Sequence, residues 1–138
     1  MDTAVRMLAR REHSAFELRR KLQHKDIAEA EIEQAIAQLQ QEGLLSDERY
    51  AESYIHMRMN KGYGPLKIEL ELKERGVAES DFRHHLYCGE IDWSTVLGAA
   101  YAKKYGSRPC DDYQEKAKRV RYLQYRGFAL DAIRELIE

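Results

Sequence analysis

The sequence predicts an all-α protein: an elongated, curved array of three tandem three-helix repeats, about nine helices in all, with no sheet. Three observations carry this. Proline occurs only twice and glycine eight times, so little interrupts helix formation. No segment sustains the period-two alternation of a half-buried strand. Most tellingly, the chain superposes on itself. A shift of 50 residues places Ser14 on Gly64, Leu18 on Ile68, Leu22 on Leu72, Ile27 on Val77, Ile32 on Phe82 and Ile36 on Leu86. A further shift of 51 places Leu72 on Leu123, Gly76 on Gly127, Val77 on Phe128, Phe82 on Ile133 and Leu86 on Ile137; it also places Tyr50 and Tyr54 on Tyr101 and Tyr105. The expected repeats are 1–45, 46–91 and 92–138, forming one continuous array. Neighbours in such an array complete one another's cores, because a unit of about 45 residues buries too little surface alone.

Each helix has local signals. Val5, Leu8 and Ala9 mark one face of a first helix over 2–12. Ser14-Ala15-Phe16-Glu17 reads as a capping box, with the serine accepting from the Glu17 amide and the glutamate reaching back. Leu18 and Leu22 follow on the second helix, and Lys25-Asp26 breaks it. Ile32, Ile36 and Leu39 define the third, which stops at Gly43. Ser46 or Asp47 starts the fourth, carrying Tyr50, Tyr54, Ile55, Arg58 and Met59. Gly62-Tyr63-Gly64 makes a turn, and Pro65 takes the first position of the fifth helix, where its missing N–H costs nothing. That helix ends at Arg75-Gly76. The sixth carries Phe82 and Leu86. Asp92 caps the seventh, with Trp93 as a packing anchor. A longer link over 106–110 precedes the eighth helix (about 111–126), and the ninth closes the chain. The third copy of the pattern is looser before Leu123.

The composition excludes several function classes. No window approaches a membrane span, and no secretory leader pattern opens the chain, so a cytoplasmic protein is expected. Cys88 and Cys110 form no C-x-x-C pair and read as free thiols. None of the five histidines forms H-E-x-x-H, and there is no P-loop, dinucleotide fingerprint or G-x-S-x-G. The expectation is a protein that is not an enzyme, with no cofactor, no metal and no catalytic residue.

Binding is what remains. The net charge is −1, yet the charges alternate along the chain. Residues 26–48 carry seven acids and no base, whereas residues 93–110 carry three bases and no acid. Such blocks let a near-neutral total hide charged faces. The candidate contact residues fall in three groups: Arg10, Arg11, Arg19, Arg20 and Lys21; Arg58, Lys61, Tyr63 and Lys67 around the glycine turn; and Lys116, Lys118, Arg119 and Arg121. Cations near helix ends can hold phosphates or carboxylates. The reading expects Tyr63 to be exposed and the tyrosine pairs at spacing four to pack between helices.

Three segments carry a family likeness: HSAFELRRKL (13–22), DERYAESYIHMRMNKGYGPLKIELELKERGV (47–77), and EKAKRVRYLQYRGF (115–128) followed by DAIRE. With them the sequence resembles the RecX family, regulators of the bacterial recombinase RecA, over essentially its whole length. The resemblance implies a crescent of three-helix repeats that lies in the groove of the RecA–single-stranded-DNA filament; separately, a monomer with weak direct contact to DNA is expected. In the groove it would inhibit ATP hydrolysis and strand exchange and limit filament growth, restraining recombination and the SOS response. The alternative is a general nucleic-acid-binding helical-repeat module independent of RecA. A third reading is a helical scaffold for some other protein. The candidate residues above are the expected contacts to the filament or to DNA.

Overall fold

A computed structural model describes residues 1–138 as nine α-helices and no strand. The helices are α1 (Asp2–Arg10), α2 (Ala15–Gln23), α3 (Glu29–Gln41), α4 (Asp47–Asn60), α5 (Pro65–Glu74), α6 (Glu79–Tyr87), α7 (Trp93–Tyr105), α8 (Tyr113–Tyr125) and α9 (Leu130–Ile137). The chain forms two compact units, one of Met1–Tyr54 with Leu72–His84, the other of Ile55–Glu71 with His85–Glu138. Both cysteines are free, and no helix is long and apolar enough to cross a membrane.

Helix starts follow their caps. Ser14 Oγ accepts from the Glu17 amide at 3.0 Å, and Ser46 Oγ from the Arg49 amide at 3.2 Å. Asp92 accepts from Ser94 and Thr95, and Asp112 from the Glu115 amide at 2.7 Å. The return half of the expected capping box is absent. The Glu17 carboxylate turns instead to Arg11, accepting from both terminal nitrogens at 3.1 and 2.5 Å. A neighbouring guanidinium outcompetes a neutral amide for a carboxylate.

The self-superposition is a core register. Leu18, Ile68, Leu72, Leu123, Phe82 and Ile133 are wholly buried, and Leu22, Val77, Phe128, Ile32, Ile36 and Leu86 nearly so. Ile27, Tyr101 and Ile137, among the superposed residues, stay partly exposed. A fully buried side chain of this size contributes roughly 1.5–3 kcal/mol. In the first unit the core gathers Ala4, Ala15, Leu18, Leu22, Ile32, Ile36, Leu39 and Leu45. In the second it gathers Leu97, Ala100, Leu123, Phe128 and Ile133. Helix α1 is rotated from the expected face: Ala4 is buried and Val5 is 41% exposed. The helix is short, and Ala4 with Leu8 points inward at spacing four.

Within each unit, one helix begins where another ends. In the first, Ser14 Oγ donates to the Arg75 carbonyl at 3.2 Å, and the Ala15 amide donates to Asp47 at 2.8 Å. In the second, the Gly64 amide donates to the Arg126 carbonyl at 2.8 Å, and the Leu66 amide to the Gly127 carbonyl at 3.0 Å. In the second unit free N–H groups at a helix start are thereby matched to free carbonyls at a helix end; in the first the Ser14 hydroxyl meets the end carbonyl, and the Ala15 amide is taken by the Asp47 carboxylate at the start of α4. The backbones approach so closely that a Cβ on Gly64 would lie 2.5 Å from the Gly127 oxygen, and one on Gly127 would lie 2.5 Å from the Lys67 Cβ.

Gly64→Ala should therefore cost about 2–4 kcal/mol, the range of a backbone clash that relaxation cannot relieve. Gly98→Ala, inside α7 with nothing within 4 Å of the added carbon, should gain about 0.5–1 kcal/mol from helix propensity. Urea denaturation of the two variants checks the opposite signs.

Candidate binding surface

The glycine turn of the second unit is built around Tyr63. The Arg58 and Arg126 guanidinium carbons each lie 3.8 Å from its ring centroid, and the Lys67 ammonium lies at 5.6 Å. Tyr63 is thus half-buried between two arginines, not exposed as the sequence suggested. A flat ring between two flat cations satisfies both faces by cation–π attraction. Arg58 also forks onto the Glu71 carboxylate with two bonds of 2.9 Å. Arg126 donates to the Gly62 carbonyl at 3.2 Å and to the Lys61 carbonyl, tying the turn to the end of α8. Lys67 reaches over Tyr125 at 4.5 Å, and that ring is 74% exposed. Lys61 is exposed and makes no ion pair.

Of the candidates, Arg58, Tyr63 and Lys67 are brought together, with Lys61 on the same turn. Arg126 belongs with them and was missed, although the 51-residue shift from Arg75 points to it.

The first-unit group is largely engaged with acids. Arg11 holds Glu17, and Arg19 forks onto Glu33 at 2.5 and 3.0 Å. Arg20 stacks on Phe16 at 5.8 Å, and Arg10 is exposed. Burial pushes the Glu17 carboxyl up, but the Arg11 bond and the Arg11, His13 and Lys21 charges outweigh it and hold it below the usual range. Lys21 donates to His13 Nε2 at 3.0 Å, and His13 Nδ1 lies 3.0 Å from the Arg11 carbonyl. These partners assign the neutral tautomer with its proton on Nδ1, since an ammonium cannot accept.

On α8, Lys118 and Arg121 are exposed, and Lys116 lies 3.5 Å from Glu138. Arg119 is different. It is 2% exposed, so it is no surface contact, and the expectation is corrected. The 51-residue shift places it at Ile68, a core position. Its guanidinium donates to the Tyr101 hydroxyl at 2.7 Å and the Glu115 carboxylate at 2.9 Å. It also donates to the Arg108 and Pro109 carbonyls at 3.2 and 2.9 Å, and it lies 4.5 Å over the Tyr105 ring. The Tyr101 bond raises its pKa first, burial opposes, and Glu115 adds to the rise. The long link before α8 supplies the two carbonyls, which explains why the third copy departs from the pattern there.

Fold and surface together define a class: a tandem array of three-helix domains whose polar chemistry is cationic and aromatic, suited to binding. The chain belongs to the RecX family. It matches that family's first three-helix domain over residues 1–39, the second over 46–84 and the third over 96–137. It is 41% identical over 135 residues to the regulatory protein RecX of Pseudomonas entomophila, covering 98% of this chain and 87% of that one. To the RecX of Pseudomonas fluorescens strain Pf-5 it is 43% identical over 136 residues, with the same coverage. The crystal structure of RecX from Lactobacillus salivarius superposes with a TM-score of 0.82 at 27% identity, covering 99% of this chain and 90% of that one. A second RecX crystal structure, at 24% identity, shares the fold with a TM-score of 0.78.

Arg119→Lys should lower the melting temperature by at least about 5 °C, because an ammonium cannot reach four acceptors arranged for a planar fork. A thermal melt by circular dichroism checks this.

His13 gives a pH dependence. Burial lowers its folded pKa below 6.5, the Arg11 and Lys21 charges lower it further, and the Arg11 carbonyl and Glu17 oppose. Above the unfolded value both states are neutral. As the pH falls through 6.5 the unfolded chain takes up the proton first, so stability declines until the folded pKa is passed. The decline in urea midpoint from pH 7.5 to 5.5 should be smaller in His13→Gln.

Proposed function

We propose that this chain is a cytoplasmic, monomeric regulator of a RecA-type recombinase that acts without chemistry of its own. It binds in the groove of the recombinase–single-stranded-DNA filament, limits filament growth and lowers ATP hydrolysis and strand exchange. Recombination and the SOS response are thereby restrained. The repeats at 1–45, 46–91 and 92–138 each offer contacts, and several modest contacts on one chain raise the effective concentration for the next. The observation that carries the reading is the Arg58–Tyr63–Arg126 stack with Lys67 and exposed Tyr125 beside it. It holds cations beside an open aromatic ring where the glycine turn is tied to the end of α8, a fitting arrangement for phosphate and protein surfaces. Arg10, Arg11, Arg20, Lys118 and Arg121 are the other exposed cations of the contact set.

A second reading, direct binding of nucleic acid without the recombinase, draws on the same exposed Tyr125 under Lys67, since cations beside open rings suit single strands.

Added in increasing amounts to a recombinase hydrolysing ATP on single-stranded DNA, the protein should lower the rate at or below equimolar ratio. No effect across the titration would sink the first reading. Lys61→Glu with Lys67→Gln should weaken inhibition about tenfold while lowering the melting temperature by no more than about 5 °C, because exposed Lys61 adds little stability and only the part-exposed cation–π contacts of Lys67 are lost. Binding to bare DNA that falls steeply with salt, with no ATPase effect, would favour the second reading.

A further inference from the structure

The second unit contains a cleft of about 590 Å³ between the end of α4, the outer face of α7 and the last turns of α8. Met59, Val96, Ala99 and Ala100 give it an apolar floor. Lys61, Lys103, Lys104 and Arg126 stand around it, and no carboxylate lines it.

The cations are held there by groups other than acids. Lys103 and Lys104 occupy the last turn of α7, where unpaired carbonyls favour positive charge. The Lys104 ammonium rests 5.1 Å over Tyr122. Arg126 is fixed by the Gly62 and Lys61 carbonyls, which are neutral acceptors and leave its charge uncompensated. Four like charges around one concavity focus a positive potential and concentrate anions.

The ligand must also suit the floor. A bare inorganic anion would leave the methyl-lined surface wet, and an apolar ligand would leave the cations unmatched. A nucleoside phosphate offers a flat, weakly polar base for the first and a multiply charged oxyanion for the second. The volume lies in the range of about 300–1,000 Å³ that small-ligand sites occupy.

We propose that this cleft binds a nucleoside 5′-phosphate, with the phosphate at Lys61, Lys103 and Lys104 and the base against Val96, Ala99 and Ala100. It is not a P-loop: no glycine-rich strand-to-helix turn contributes, and side-chain ammonium groups replace backbone amides as phosphate donors. The proposal does not depend on the filament reading. The same chemistry is presented by a free nucleoside triphosphate and by a nucleotide within a single strand.

The test uses the full chain and two direct probes read by fluorescence anisotropy: N-methylanthraniloyl-ATP and a fluorescein-labelled oligothymidylate. At least one should bind with a Kd below about 1 mM. Lys103→Glu with Lys104→Glu should weaken that probe about tenfold or more, and Ala99→Trp, which fills the floor, should weaken it about fivefold or more. Circular dichroism confirms that both variants remain folded. Tripolyphosphate should compete poorly against the bound probe. Loss of the ATP probe alone in Ala99→Trp identifies the free nucleotide as the ligand, and loss of the oligonucleotide alone identifies the strand. Failure of both probes to bind the parent protein overturns the proposal. So does undiminished binding, by Ala99→Trp, of every probe that binds the parent, or displacement of the bound probe by tripolyphosphate as strong as by the unlabelled form of that probe, since either would mean that surface charge alone attracts the probe.

Discussion

Everything in each unit is set by one contact between helix ends. A helix cannot satisfy its own first amides or last carbonyls. Here the start of α2 meets the end of α5 within the first unit, and the start of α5 meets the end of α8 within the second. The two junctions use different chemistry at equivalent positions. Ser14 bridges with its hydroxyl, whereas Gly64 lets its backbone amide reach the Arg126 carbonyl directly. Direct contact removes room for any side chain at Gly64 or Gly127. The glycine-tyrosine-glycine-proline turn is therefore a docking element first. Tyr63 and its arginines are positioned because that element is fixed.

The buried Arg119 shows how a repeat tolerates an exception. The matching positions hold Leu18 and Ile68, both wholly buried. A charge there would ordinarily cost far more than it returns unless every donor is met. The tyrosine pair of α7, the Glu115 carboxylate one turn earlier and two carbonyls of the link meet it. The link's length and Arg119 are thus two parts of one feature.

These cases mark what the sequence could yield. The helix count, the caps at Ser14, Asp92 and Pro65, and the core register were legible because they depend on spacing within about ten residues, or on a repeat that displays the same spacing again. Arg119 departs from its sequence expectation because a cationic side chain suggests exposure, whereas its register position is a core one. Arg126 was open to the same register argument from Arg75. The pairs Arg19–Glu33 and Arg58–Glu71 were not legible: each joins two helices, and nothing local links their positions. Lys103 and Lys104 were visible only as a charge block without acids, which gives sign and not shape.

That distinction bears on which cations can meet a partner. Arg11, Arg19 and Lys116 already face carboxylates, but on the surface, where a pair is worth about 0–1 kcal/mol. Exchanging such a partner for an incoming phosphate or carboxylate costs little, so pairing does not disqualify them. Arg58 is further from solvent, with 17% of its side chain exposed and its Glu71 partner at 16%, and it is stacked on Tyr63, so releasing it would also loosen the turn. Arg119 has four acceptors and is almost wholly buried. The order of availability is therefore set by burial rather than by ion pairing. Lys61, Lys118 and Arg121 stand at one end of it, Arg58 lies between, and Arg119 is at the other.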